Sequence, residues 1–161
     1  MSHLEHMAII GAGLMGHGIA QIFASKGHPV SLLDVSDEIL ARAIKSIRAN
    51  LTLLAQSGIG STEDIEPTLK RIRVTRDLEE AASEAKFVIE AVYEELDLKQ
   101  KLFQKLDTIC PSDTILTTNT SVISVTEIAA KAARRNRIVG THFWNPPYLV
   151  PLVEVIKAEE T

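Results

Sequence analysis

Three clusters of residues in this chain have types and spacings suited to chemistry. The first is GAGLMG, in which Gly11, Gly13 and Gly16 fit G-x-G-x-x-G. Each glycine has a job in such a turn. Gly11 permits the tight bend, Gly13 lets the backbone approach a pyrophosphate, and Gly16 lets the following helix pack on the strand before it. The free N–H groups and dipole at the helix start, at Leu14, favour a phosphate. Asp34 closes the next apolar run. A carboxylate there accepts hydrogen bonds from ribose hydroxyls and repels a 2′-phosphate, which favours NAD over NADP. The plainer alternative is a glycine turn with a capping aspartate.

The second cluster is THFWNPPYLVPLVEV, Thr141 to Val155. His142 ends an apolar run, and Asn145-Pro146-Pro147 forces the chain out of regular structure. Glu154 stands in an apolar stretch where an unpaired carboxylate is expensive to bury. A histidine paired with such a carboxylate is an acid/base unit, because the carboxylate fixes the tautomer and stabilises the imidazolium. The third cluster joins EAVYEELDLK, with Val92, Tyr93, Glu94 and Lys99, to TTNTS, with Asn119 and Ser121. Both follow apolar runs. Glu94 and Lys99 read equally as ligand contacts or as an ordinary helix start. The hydroxyl-rich segment can cap a helix or bond a ligand.

These clusters need elements to hold them. Apolar runs at Met7–Ile10, Pro29–Leu33, Ile72–Val74, Phe87–Glu90, Thr114–Thr117, Ile138–Thr141 and Leu152–Ile156 read as strands. Between them, helical patterns are predicted over Leu14–Ser25, Ser36–Gln56, Thr62–Lys70, Leu78–Ala85, Leu96–Ile109 and Val125–Ala133. Alternation of this kind means right-handed βαβ units and a mostly parallel sheet covered on both faces. In such sheets ligands lie at the carboxyl ends of the strands, where all three clusters fall. The fold class is α/β, a Rossmann-type doubly wound sheet in a single domain.

Composition agrees. A chain of 161 residues, 45% hydrophobic and 24% charged, suits one soluble domain. Aromatics are only 4%, so the core must be aliphatic. The net charge of −4 argues against a nucleic-acid partner. A single cysteine, Cys110, excludes an internal disulfide and a cysteine-based metal cluster, and no metal site is expected. It reads as a structural residue at a helix end. No apolar run approaches membrane-span length. A cytoplasmic protein without a membrane partner is expected. Met1 to His6 reads as an artificial leader, so the domain is taken as residues 7–161. Lys70, Arg71 and Arg73 form a basic cluster, either solvated or facing phosphates.

With those motifs in order, the sequence resembles the L-3-hydroxyacyl-CoA dehydrogenase family from Met7 to about Thr161. The segments carrying the likeness are GAGLMGHGIA, Asp34, IEAVYEELDLK, TNTS and HFWNPPYLVPLVEV. The resemblance implies an NAD-dependent oxidation of an L-3-hydroxyacyl-CoA to the 3-ketoacyl-CoA. It implies that His142 is the catalytic base and Glu154 its partner. Ser121 then lies near the substrate hydroxyl and nicotinamide, and Asn145 beside the nicotinamide. Met15, Asp34, Glu94 and Lys99 match cofactor contacts, and Asn119 neighbours the reacting groups. Val92 and Tyr93 belong to the same cofactor wall. The family places an all-helical domain, with dimer contacts and one substrate wall, after the point where this chain ends. Two departures from the acyl-CoA pattern remain open. Asn145-Pro146-Pro147-Tyr148 is similar to the lambda-crystallin/L-gulonate and carnitine dehydrogenase branches, and a domain without that wall is also consistent with an NAD-binding module lacking turnover.

Overall fold

The computed structural model describes residues 4–161. Seven strands form one sheet in the order β3-β2-β1-β4-β5-β6-β7. They are β1 (Met7–Ile10), β2 (Val30–Leu33), β3 (Ile72–Thr75), β4 (Phe87–Glu90), β5 (Ile115–Thr118), β6 (Ile138–Phe143) and β7 (Val153–Lys157). The first six are parallel, and β7 lies antiparallel on β6. The helices are α1 (Leu14–Ser25), α2 (Asp37–Gln56), α3 (Ile65–Lys70), α4 (Leu78–Ala82), α5 (Leu96–Ile109) and α6 (Val125–Ala129).

Strand periodicity divides the core in two. Met7 and Ile9 of β1 pack with Leu32, Ile19, Leu40 and Ile47 under α1 and α2. Ala8 and Ile10 of the same strand pack with Val88, Leu116, Phe103 and Leu106 under α5 and α6. Covered on both faces, β1 and β2 are buried at every position and apolar at all but Ser31 of β2. The order reverses between β1 and β4, opening the crevice at their carboxyl ends.

Several sequence expectations need adjusting. The helix expected over Val125–Ala133 stops at Ala129, and that over Leu78–Ala85 stops at Ala82. Thr62–Lys70 divides into a 3-10 turn, Thr62–Asp64, and α3. Thr114 precedes β5, its buried hydroxyl donating to the Ala85 carbonyl at 2.7 Å. Strand β6 extends through His142 to Phe143. Arg134 and Arg137 converge on Asp107, and Arg135 pairs with Glu160. In the cluster of Lys70, Arg71 and Arg73, all three residues are exposed; Arg71 donates to the Ala24 carbonyl and Arg73 pairs with Glu80. Cys110 is buried, and burial pushes its thiol up to about 11. Residues 1–3, including His3, lie outside the described residues. His6 is seated on the sheet: its ring bonds the Ser31 hydroxyl at 2.9 Å and its carbonyl accepts from the Lys86 N–H.

Candidate active site

The glycine turn is shaped by contacts that side chains would obstruct. Gly11 has φ +102°, and a Cβ on it would sit 2.6 Å from the Ala91 carbonyl oxygen beyond β4. A Cβ on Gly16 would fall 1.7 Å from the Gly11 carbonyl oxygen. Gly13, by contrast, faces open space. It is the N-cap of α1, with no side-chain cap and no acidic residue in the first turn. The first N–H groups of a helix lack intrahelical partners. Here they meet an open face with no side chain competing for them, a cradle that suits a phosphate.

Asp34 follows β2 and does two things. Its carboxylate accepts the Ala12 N–H and the Val35 N–H, each at 2.8 Å, and so ties the glycine turn to the end of β2. A carboxylate has about four lone-pair positions, so acceptor capacity remains for ribose hydroxyls. The residues present therefore fit an NAD-type dinucleotide. Leu14 and Tyr93 are exposed beside this region, while Met15 and Val92 are half-buried against the core.

Across the switch point the site is built from side chains. Glu90, the last residue of β4, is wholly buried, as is Lys99 of α5. The Lys99 ammonium lies 2.7 Å from Glu90 Oε1 and 3.2 Å from Glu94 Oε2. Glu90 also accepts the Thr118 hydroxyl at 2.6 Å and the Val92 N–H at 2.7 Å. Lys99, a candidate cofactor contact, has its ammonium shared between two carboxylates and is linked to the crevice through Glu94. Glu90, in contrast, drew no notice in the sequence, because a carboxylate closing an apolar strand carries no local mark of burial.

Glu94 organises the following loop. It accepts the Thr120 hydroxyl, the Ser121 N–H at 3.0 Å and the Val122 N–H at 3.3 Å. Burial alone would raise its carboxyl, but the Thr120 hydroxyl and Lys99 outweigh it and hold it below the usual range. Asn119 accepts the Phe143 N–H at 2.8 Å, locking the ends of β5 and β6 together.

Ser121 is thereby presented to His142, its hydroxyl 3.1 Å from Nε2. His142 Nδ1 lies 2.6 Å from Glu154 Oε2. An ionised carboxylate only accepts, so Nδ1 carries the proton and Nε2 is left as the acceptor for Ser121. The two partners face each other because His142 of β6 and Glu154 of β7 are register partners. The burial expected for Glu154 does not occur. Its side chain is 50% exposed, because β7 is the edge strand and exposed along its length. Its carboxyl is nevertheless held low, first by the His142 donation and then by the Trp144 indole.

Serine, histidine and glutamate in series also suit a nucleophile and its base. That chemistry needs N–H groups free to receive an oxyanion. The N–H groups of Ser121 and Val122 are both given to Glu94, so the arrangement suits proton transfer instead. The segment after β6 crosses α1 with a cis Asn145–Pro146 bond. A Cβ on Gly18 would sit 2.6 Å from Pro147, so this segment packs directly on α1, a contact with no local mark in the sequence.

Comparison with known proteins agrees with this geometry. The family profile described as 3-hydroxyacyl-CoA dehydrogenase, NAD binding domain, matches residues 6–161. The chain is 45% identical over 161 residues to the 3-hydroxyadipyl-CoA dehydrogenase of Escherichia coli, covering all of this chain and 34% of that protein. It is 39% identical over 163 residues to the mitochondrial hydroxyacyl-coenzyme A dehydrogenase of Rattus norvegicus, covering 98% of this chain and 52% of that one. Among solved structures, a 3-hydroxybutyryl-CoA dehydrogenase from Escherichia coli superposes with a TM-score of 0.94 at 44% identity, over 99% of this chain and 34% of that one. The (S)-3-hydroxybutyryl-CoA dehydrogenase of Ralstonia eutropha gives 0.93 at 34% identity, over 99% and 56%. The chain thus spans between a third and little more than half of the length of these four relatives.

Proposed function

The chain belongs to the 3-hydroxyacyl-CoA dehydrogenase family, as its NAD-binding domain, and from that premise we propose that His142 and Glu154 form the acid/base pair for interconverting an L-3-hydroxyacyl-CoA and its 3-ketoacyl-CoA. When bound, NAD supplies the hydride chemistry. The chain's own residues handle the proton. His142 Nε2 takes it from the substrate hydroxyl, and Glu154 holds the ring in the Nδ1–H tautomer and stabilises the charge that develops. Ser121 and Asn145 position the alcohol oxygen and the nicotinamide carboxamide. Asp34 takes the ribose hydroxyls, and Gly13, Leu14 and Met15 border the pyrophosphate.

The observation that carries this reading is the continuous contact from Ser121 through His142 to Glu154, at 3.1 and 2.6 Å. The names of the relatives support a CoA thioester over L-gulonate or carnitine. A longer, dimeric, cytoplasmic enzyme belongs to the same proposal. Exposure of all five residues of β7 favours a second reading for the 161 residues alone, a module that binds NAD without full turnover.

NADH oxidation with acetoacetyl-CoA, run beside an NAD titration, tests both. Binding with turnover supports the enzyme, and binding alone supports the module. Turnover with L-gulonate or carnitine instead would move the substrate class. In the active protein His142→Gln is expected to lower turnover by about 10²–10⁴-fold with NAD affinity unchanged. Normal turnover in that variant removes His142 from the chemistry.

A further inference from the structure

Trp144 is the single tryptophan of the chain and stands one residue beyond β6. Its indole Nε1–H lies 3.3 Å from Glu154 Oε2, the same oxygen that accepts from His142 Nδ1. The Trp144 and His142 rings are 6.3 Å apart between centroids and tilted by 54°. The Trp144 backbone N–H also donates to the Leu152 carbonyl at 3.3 Å, fastening the segment to the approach of β7.

We propose that Trp144 is a positioning residue for the acid/base pair, its indole N–H pinning the Glu154 carboxylate so that Oε2 faces His142. The catalytic meaning of this contact rests on the function proposed above. The need for such a device follows from the fold. Glu154 projects from an exposed edge strand, where water competes for each oxygen and a lone ion pair gains little. Two donors converging on one oxygen restrict the carboxylate to a single orientation, and a charged acceptor strengthens both bonds. A phenylalanine at position 144 would supply the ring and its packing but no donor.

The carboxyl of Glu154 lies below its usual range, with the His142 donation as the larger cause and the indole next. The sign follows. A carboxylate whose value is lowered on folding keeps its contacts above its ordinary range and loses them as the pH falls through the lowered value. Of the groups bonded to Glu154, the His142 imidazole on β6 is ionisable and the Trp144 indole is not.

The test uses the 161-residue chain, without substrate, by nuclear magnetic resonance. One indole N–H resonance is present. It is expected to move with pH in step with the Glu154 carboxyl, and to lose that movement in Glu154→Gln. In Trp144→Phe the Glu154 midpoint is expected to rise, because one of the two donors that lower it is gone. The nitrogen shifts of His142 should move towards the Nε2–H tautomer in the same variant. An indole resonance indifferent to Glu154→Gln overturns the proposal. So does a Trp144→Phe variant with unchanged midpoint and tautomer. Failure of the catalytic reading shows elsewhere, as normal turnover in His142→Gln, and leaves these resonances as they are.

Discussion

The two halves of the sheet make their sites from opposite materials. Around β1, α1 and β2 the site is defined by side chains that are missing. Gly11, Gly13 and Gly16 keep the backbone close to itself or open to a ligand, and Asp34 is the one functional group attached. Around β4, β5 and β6 the site is defined by side chains that are present and mutually satisfied. Glu90, Lys99, Glu94 and Thr118 form a chain of bonds that ends by presenting Ser121 to His142. A backbone site therefore fails when atoms are added, and a side-chain site fails when they are removed.

That contrast can be broken by experiment, and the largest effect is expected in the side-chain half. Lys99→Met leaves the wholly buried Glu90 without its counter-ion. Removing one partner of such a pair destabilises by about 3–5 kcal/mol, because an uncompensated charge stays inside. Urea unfolding should show that loss, and Glu90→Leu added to Lys99→Met should recover most of it. A Lys99→Met chain as stable as the parent would mean that Glu90 is not dependent on its ion pair, and the comparison would fail on that side.

Next in size is the backbone half. Gly16→Ala adds one methyl group at a point 1.7 Å from the Gly11 carbonyl oxygen. The turn must open to admit it, at about 3 kcal/mol, the upper end of ordinary overpacking. Loss of stability together with loss of NAD binding is expected. Gly13→Ala, facing open space, should leave stability intact and act on NAD binding alone. Equal unfolding midpoints for the two variants would contradict the close approach of α1 to the turn.

The smallest effect is expected at Asp34, where the two principles meet. Asp34→Asn keeps an acceptor oxygen for one of the two N–H groups, that of Ala12 or of Val35, and removes the charge. One charge-assisted hydrogen bond to ribose corresponds to roughly a tenfold loss of NAD affinity. Calorimetry should show that loss with little change in unfolding. Unchanged affinity would reduce Asp34 to a brace for the Ala12 and Val35 N–H groups.

How much could be read in advance follows the same division. The nucleotide half was legible because its rules are local: a glycine spacing after an apolar run, then a helix, then an acid. His142 and Glu154 were legible as a pair because few residue types serve acid/base work, although the assumed reason, burial of Glu154, was mistaken. Glu90, Trp144 and Gly18 were not legible. Thr118, 28 positions from Glu90, and Pro147, pressed against Gly18, become neighbours only when crossovers bring distant strand ends together.

The sequence by itself determined the class of fold, the glycine turn and the order in which the chemical groups arrive at one edge of the sheet. Those features depend on local periodicity and on steric limits within a few residues. The tertiary structure decided which charges neutralise which. It gave Lys99 to Glu90 and Glu94, buried Arg137 against Asp107, paired Arg135 with Glu160 at the surface, and set Glu154 on an open edge. The physical reason is that a charge interacts with whatever lies within a few ångströms, and strand register and crossover direction, fixed by packing, decide what that is.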